Sequence, residues 1–209
     1  MRGADAALAG RLAARALPAR RERAAQLRQP ADRLRSLAAG ALLQQAMDRA
    51  GLPDEARELT VSPLGQPLLA RTDTPFHFSL SHSGDIALCA YSCAPLGADV
   101  EEPRHPALQI AARKFASGES RWVFAQPDPE AAFFRLWVLK ESYVKALGVG
   151  LSLPLRDYEM RFGAAVQVFR EGRAEPWAFH EARPGGYPAA VCAAPDSRCR
   201  WVCVPAAQL

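Results

Sequence analysis

The pattern of apolar and polar positions predicts a mixture of helices and short strands. Apolar residues recur at helical spacing over residues 30–50 and 130–147. Alternation over residues 76–81, a turn at Ser83-Gly84-Asp85 and an apolar run over 86–91 predict a β-hairpin. Further short elements are predicted along the rest of the chain: a strand over 96–101, helices over 106–115 and from 119, and strands over 158–162, 166–170, 177–181, 189–193 and 200–204.

This order of elements predicts the fold class. A helix followed by strands, then helices followed by strands, is one α+β plan used twice. We expect an α+β protein of two pseudo-symmetric halves, residues 1–96 and 97–209, packed together. A cleft at their junction is the expected ligand position.

Composition excludes several classes. Hydrophobic residues make up 49% and charged residues 23%, as in ordinary globular proteins. No apolar run approaches the ~20 residues of a membrane span, and no secretory signal is recognisable. Five cysteines without an export signal favour a reducing compartment, so a cytoplasmic protein is expected. The two C-x3-C pairs lie in predicted strands, where i and i+4 side chains are roughly 13 Å apart, too far for one metal ion.

Positive charge is concentrated near the N-terminus. The net charge is +4, and residues 1–50 hold ten arginines against four acidic residues. This excess suits an anionic ligand, although a solvated helix face would look the same. Nucleic-acid binding would predict aromatic residues among the basic ones, and residues 1–50 contain none.

Lysine is rare in this chain, and two of its three lysines, Lys140 and Lys145, flank Glu141. A compact ammonium is not interchangeable with a guanidinium, so the cluster suggests phosphate chemistry. Glu141 and Lys145 share a helix face at i, i+4. An ordinary surface ion pair would give the same spacing, but Phe134 and Val138 also lie on that face, which predicts partial burial.

Two further motifs carry polar side chains at the ends of predicted strands. Asp99 and Glu101 point to the same side of a strand, about 7 Å apart, and can bind a divalent cation. Solvent-facing acids in an alternating strand would look identical. Ser81-His82-Ser83 offers hydroxyl, imidazole and backbone donors to an anion. Nucleophilic-elbow and glycine-rich phosphate-loop motifs are absent from the sequence.

Together these motifs resemble the 4′-phosphopantetheinyl transferase superfamily, in its Sfp-type branch. The resemblance is carried by residues 97–101 (G-x-D-x-E), 137–145 (W-x-x-K-E-S-x-x-K), 81–83 (S-H-S) and 148–154 (G-x-G-L-S-L-P). It implies that the chain transfers the phosphopantetheine arm of coenzyme A to a serine of an apo acyl or peptidyl carrier protein. It also implies Mg²⁺ dependence and release of adenosine 3′,5′-bisphosphate. Because two fused halves already form a complete cleft, a monomer is expected.

The resemblance also implies roles for individual residues. Asp99, Glu101 and Glu141 would hold Mg²⁺, and Lys145 would stabilise the leaving group. Glu141, directly or through a metal-bound water, would take the serine proton. Glu119 is the other candidate base, and it also fits an ordinary carboxylate at a helix N-terminus. The residues expected to contact coenzyme A are Arg20, Arg23, Arg35, Ser36, Gln66, Ser81, His82, Lys140 and Lys145.

The sequence departs from the family pattern at three places. Gln66 stands where the family usually has Lys, and Ala98 replaces a larger aliphatic residue. No apolar first strand precedes Pro18, so either the chain begins late or the first sheet is one strand smaller. Two alternatives remain: a non-catalytic carrier-binding relative, which the intact acidic and lysine positions disfavour, and a metal-dependent nuclease, which lacks its usual E-x-K spacing.

Overall fold

The computed structural model describes residues 6–104 and 108–209 and contains helices and small antiparallel sheets. The first part of the chain forms α1 (Ala6–Arg15), α2 (Pro18–Ala25), α3 (Pro30–Arg49), β1 (Leu59–Val61), β2 (Pro67–Leu69), β3 (His77–Ser83) and β4 (Ile86–Ser92). The second part forms β5 (Gly97–Val100), α4 (Gln109–Lys114), α5 (Ser117–Phe124), α6 (Pro129–Leu147), β6 (Tyr158–Phe162), β7 (Val166–Arg170), β8 (Arg173–Ala174), β9 (Ala178–Ala182) and β10 (Ala189–Ala193). The α+β class predicted from the sequence is confirmed.

Most predicted elements are present. The two long helices and the hairpin of β3 and β4 are confirmed, as are four of the five late strands. The predicted strand over 200–204 is wrong, because this segment is irregular, and its Trp201 packs against the buried cluster of Leu96, Ala98, Val191 and Ala193. The predicted start of a helix at Pro106 lies outside the described residues. Helices α1 and α2 were not predicted.

The first half is built around α3, which packs on the β3–β4 hairpin. Leu43 and Met47 of α3 join Phe76 and Phe78 in one buried cluster. On its other side α3 contacts α1 and α2 very closely, since a Cβ on Gly40 would lie 3.0 Å from the Cβ of Arg20. This contact fixes Arg20 beside α3.

The second half is built around α6. Its residues Leu136, Leu139 and Tyr143 are all 0% exposed and pack against the neighbouring sheets. One antiparallel sheet has the order β5-β10-β9, the other β6-β7-β8. In the first of these sheets β5 is an edge strand, and it runs beside β3 of the first half. None of the described helices combines the length and apolarity needed to cross a membrane.

Candidate active site

A close contact between β5 and α6 brings the predicted acidic and basic residues together. A Cβ on Gly97 would lie 2.0 Å from the carbonyl oxygen of Ser142, so only glycine allows the strand to begin against the helix backbone. Two residues later, Asp99 reaches Lys145, whose Nζ donates to Asp99 Oδ1 at 2.6 Å. The glycine of the G-x-D-x-E motif therefore determines how close its carboxylates come to α6.

Asp99 is the most buried of the three carboxylates, with 4% exposure. Its Oδ1 accepts hydrogen bonds from Lys145 Nζ and, at 2.7 Å, from Ser81 Oγ. Its Oδ2 is buried and has no hydrogen-bond partner among the described residues. A buried carboxylate oxygen without a partner is costly unless a cation or water satisfies it.

Glu101 and Glu141 are the other two acids of the group. Burial raises the pKa of each carboxyl, and the negative charge of Asp99 raises it further. The three carboxylates are therefore close enough to repel one another, and Lys145 supplies a positive charge beside them. Their donor type and charge fit a divalent cation. Among the described residues, no three such side chains are already grouped around one metal position.

A basic cavity of about 350 Å³ lies next to these acids. Its polar lining is Arg20, Arg23, Asp32, Ser36, Ser81, His82 and Lys145. Arg20 Nη2 donates to Ser36 Oγ at 3.2 Å, and its buried Nε has no partner among the described residues. Burial lowers the pKa of Arg20, and the neighbouring charge of Arg23 lowers it further. Cations crowded in this way favour binding of an anion.

His82 and Arg35 extend the positive region. Desolvation lowers the pKa of His82, and the charge of Arg35 adds to this effect. Arg35 does not line the cavity; it pairs with Asp32 and donates to Gly84 O at 3.2 Å. Asp32, which the sequence did not place in the site, both lines the cavity and orients Arg35.

A second cavity of about 270 Å³ adjoins the first. It is bordered by the turn that holds Gln66 and by Glu141 on α6, and Gln66 Nε2 donates to Lys145 O at 3.3 Å. Both cavities share Pro67, Leu80 and Lys145. The structure therefore forms one cleft with a basic side around Arg20 and an acidic side whose lining contains Glu141, and Lys145 lies where they meet. Asp99 and Glu101 line neither cavity; Asp99 adjoins the cleft through its contact with Lys145.

Comparison with known proteins identifies the family. The profile of the 4′-phosphopantetheinyl transferase superfamily matches residues 95–192. Over 188 residues the chain is 34% identical to the 4′-phosphopantetheinyl transferase Sfp of Bacillus subtilis (strain 168), and the match covers 86% of this chain and 83% of that protein. The chain belongs to the 4′-phosphopantetheinyl transferase superfamily.

Two further similarities concern a bacterial relative and a solved structure. The superfamily member gsp of Aneurinibacillus migulanus is 29% identical over 154 residues, covering 72% of this chain and 64% of that protein. The holo-acyl-carrier-protein synthase of Thermotoga maritima superimposes with a TM-score of 0.42 and 18% identity, covering 48% of this chain and 62% of that one.

One residue that was expected to contact coenzyme A does not lie in the cleft. Lys140 has a fully buried side chain, and its Nζ lies 2.6 Å from Glu119 Oε1 and 2.9 Å from Tyr158 O. It cannot reach a ligand in the cleft, so we correct its assignment to a structural one. Glu119 also caps its own helix through Ala116 N at 3.0 Å, as a helix N-terminal carboxylate would.

Proposed function

We propose that this protein transfers the 4′-phosphopantetheine arm of coenzyme A to a serine of an apo carrier protein. The observation that carries the proposal is the position of Lys145, which lines both cavities and also contacts Asp99, so that the basic cavity around Arg20 lies beside the acidic group. Coenzyme A has the matching charge pattern, with a 3′-phosphate at one end and a pyrophosphate further along. Similarity to Sfp over most of the chain supports the same reaction.

The basic side of the cleft would bind the 3′-phosphate. Guanidinium groups form strong, directional hydrogen bonds with phosphate oxygens, and Arg20 has an unpaired buried Nε. Arg23 and His82 lie around the same cavity. With the 3′-phosphate held there, the pyrophosphate would lie towards Lys145 and the carboxylates.

Asp99, Glu101 and Glu141 would hold Mg²⁺, which would neutralise the pyrophosphate charge and stabilise the transferred phosphoryl group. The serine oxygen of the carrier would attack the phosphorus bearing the pantetheine arm, and the bond to the bridging oxygen would break. Glu141 would accept the serine proton, since it is the acid of this group that lines the cleft. Lys145 would stabilise the charge that develops on departing adenosine 3′,5′-bisphosphate.

Direct assay tests the proposal. The protein is incubated with coenzyme A, Mg²⁺ and apo carrier proteins of the fatty-acid and nonribosomal types, and carrier mass is followed. We expect one carrier to gain the mass of a single phosphopantetheine arm, and we expect chelation of Mg²⁺ to stop the gain. Absence of a mass gain with every carrier of both types would refute the proposed function.

Replacing Arg20 tests the proposed 3′-phosphate site. We expect Arg20→Ala to weaken coenzyme A binding by about 10- to 100-fold, because one charge-assisted hydrogen bond contributes about 1.5–3 kcal/mol. Binding of dephospho-coenzyme A, which lacks the 3′-phosphate, should hardly change. Calorimetric titration measures both affinities, and Arg49→Ala, at an exposed position at the end of α3, is the charge-matched control. Equal losses for the two ligands would show that Arg20 acts elsewhere.

One chain lines the whole cleft, so we propose a monomer as the active unit. Its five cysteines are free in the structure, and we propose that it works in a reducing compartment such as the cytoplasm.

A further inference from the structure

The free edge of β5 needs hydrogen-bond acceptors. In an antiparallel strand, successive backbone N–H groups point alternately to the two edges. Glu101 N donates to Pro188 O at 3.0 Å, on the side where β10 pairs with β5. The N–H groups of Ala98, Val100 and Glu102 consequently point to the opposite edge, where none of the described strands forms a backbone ladder with β5. Such donors require partners because an unpaired buried N–H is costly.

The partners are three serine hydroxyls on β3, which we call the serine ladder. Ser79 Oγ accepts from Ala98 N at 2.9 Å, Ser81 Oγ from Val100 N at 3.4 Å and Ser83 Oγ from Glu102 N at 3.0 Å. The sequence offset is 19 residues in every case, so β3 and β5 run in the same direction. The ladder joins the two halves of the molecule at this point.

The same hydroxyls hold the acidic residues. A serine hydroxyl can accept from a backbone N–H and still donate its own proton. Ser81 donates to Asp99 Oδ1 at 2.7 Å, and Ser83 donates to Glu101 Oε2 at 2.8 Å. The offset is 18 residues in both cases. The equivalent position opposite Ser79 is occupied by Gly97, which has no carboxylate.

We infer that Ser83 is a positioning residue: it fixes one oxygen of Glu101 so that the other is turned towards the divalent cation. Ser81 does the same for Asp99, where the result is visible, since Oδ1 is held and Oδ2 is left without a partner among the described residues. Partners of metal ligands commonly determine ligand orientation and affinity. The inference rests on the proposed function, because it assumes a cation at these acids.

The test compares Ser83→Ala with Ser79→Ala. Mn²⁺ is titrated into the complex with coenzyme A, without carrier protein, and free Mn²⁺ is followed by electron paramagnetic resonance. We expect Ser83→Ala to weaken Mn²⁺ binding by about 10-fold. Ser79→Ala removes the same kind of backbone acceptor, but among the described residues the Ser79 hydroxyl donates no hydrogen bond to a carboxylate, so the Mn²⁺ affinity of this variant should equal that of the wild type. Both variants should lower the thermal unfolding midpoint by a few degrees.

Conservative replacement and steady-state kinetics supply further readouts. Ser83→Thr keeps the hydroxyl and should restore Mn²⁺ affinity. In the carrier assay, Ser83→Ala should raise the Mg²⁺ concentration needed for half-maximal rate more than it lowers the rate at saturating Mg²⁺.

Unchanged Mn²⁺ affinity in Ser83→Ala would overturn the inference. Equal weakening by Ser83→Ala and Ser79→Ala would also overturn it, because the effect would then come from general loosening of the interface between β3 and β5. These measurements need no turnover. If the wild-type protein modifies no carrier, the proposed function fails in its own assay, while the Mn²⁺ comparison still decides the role of Ser83.

Discussion

Glu141→Gln should abolish phosphopantetheine transfer while leaving the binding of adenosine 3′,5′-bisphosphate nearly unchanged. The substitution keeps the shape of the side chain but removes a negative charge from the acidic group and a proton acceptor from the cleft. Loss of a positioned general base alone costs about 10²–10⁴-fold in rate, and loss of a cation ligand adds to this. The 3′-phosphate site around Arg20 lies on the other side of Lys145 and keeps its cations. Carrier mass measures the rate, and calorimetry measures nucleotide affinity.

Glu130→Gln is the matched control, because it makes the same change in the first turn of the same helix. It should retain transfer activity. If Glu141→Gln retained near-normal turnover, Glu141 would lose both proposed roles. If the variant instead lost nucleotide binding in parallel with activity, the separation of the cleft into a basic and an acidic side would be wrong.

The sequence predicted the elements whose periodicity is strong. α6 carries large apolar residues at helical spacing, and β3 alternates cleanly, so both were assigned correctly. α1 was not predicted because Leu8 and Leu12 are its only large apolar residues. The rest of the helix is rich in alanine and arginine and shows little contrast between an apolar and a polar face. The segment 200–204 has the aromatic and β-branched residues of a strand, but composition cannot show whether a neighbouring strand edge is available for pairing.

The residues expected in the site agree with the structure only in part. The family resemblance placed Asp99 and Lys145 in one site, and the two residues are in direct contact. Lys140 was misassigned because the rarity of lysine was given more weight than helix geometry. It lies four residues after Leu136 and three before Tyr143, both buried, so it falls on the core face of α6. The serine ladder was visible only as serines on alternate positions, since its acceptor role depends on where β5 lies.

The buried pair of Lys140 and Glu119 leads to the largest expected change in stability. Both side chains are 0% exposed, and Nζ lies 2.6 Å from one carboxylate oxygen and 2.7 Å from the other. Met160 N donates to Glu119 Oε1 at 2.7 Å, so the pair ties α5 and α6 to β6. Burial raises the pKa of Glu119 and lowers that of Lys140, and each charge draws the other back towards its ionised form.

Breaking this pair from one side leaves an uncompensated buried charge. Lys140→Met should therefore reduce the free energy of unfolding by about 3–5 kcal/mol, which lowers the unfolding midpoint by on the order of 10 °C for a chain of this size. The double variant Glu119→Leu/Lys140→Met should recover much of the loss, because apolar pairs of similar volume often replace buried ion pairs at little cost. Thermal and urea unfolding measure both effects. Arg71→Met, which breaks the exposed pair with Asp73, is the control and should change little.

Comparing Glu119→Gln with Lys140→Met decides whether Glu119 is the general base. If Glu119 is structural, Glu119→Gln should lower stability but keep most of its transfer rate per folded molecule, at a temperature well below its unfolding midpoint. If Glu119 is the base, that rate should fall by about 10²-fold or more, while Lys140→Met remains active. We expect the first outcome, because both carboxylate oxygens of Glu119 already accept hydrogen bonds within the protein and its residue exposure is 2%. A carboxylate held in this way has no path to the hydroxyl of a carrier serine, whereas Glu141 lines the cleft.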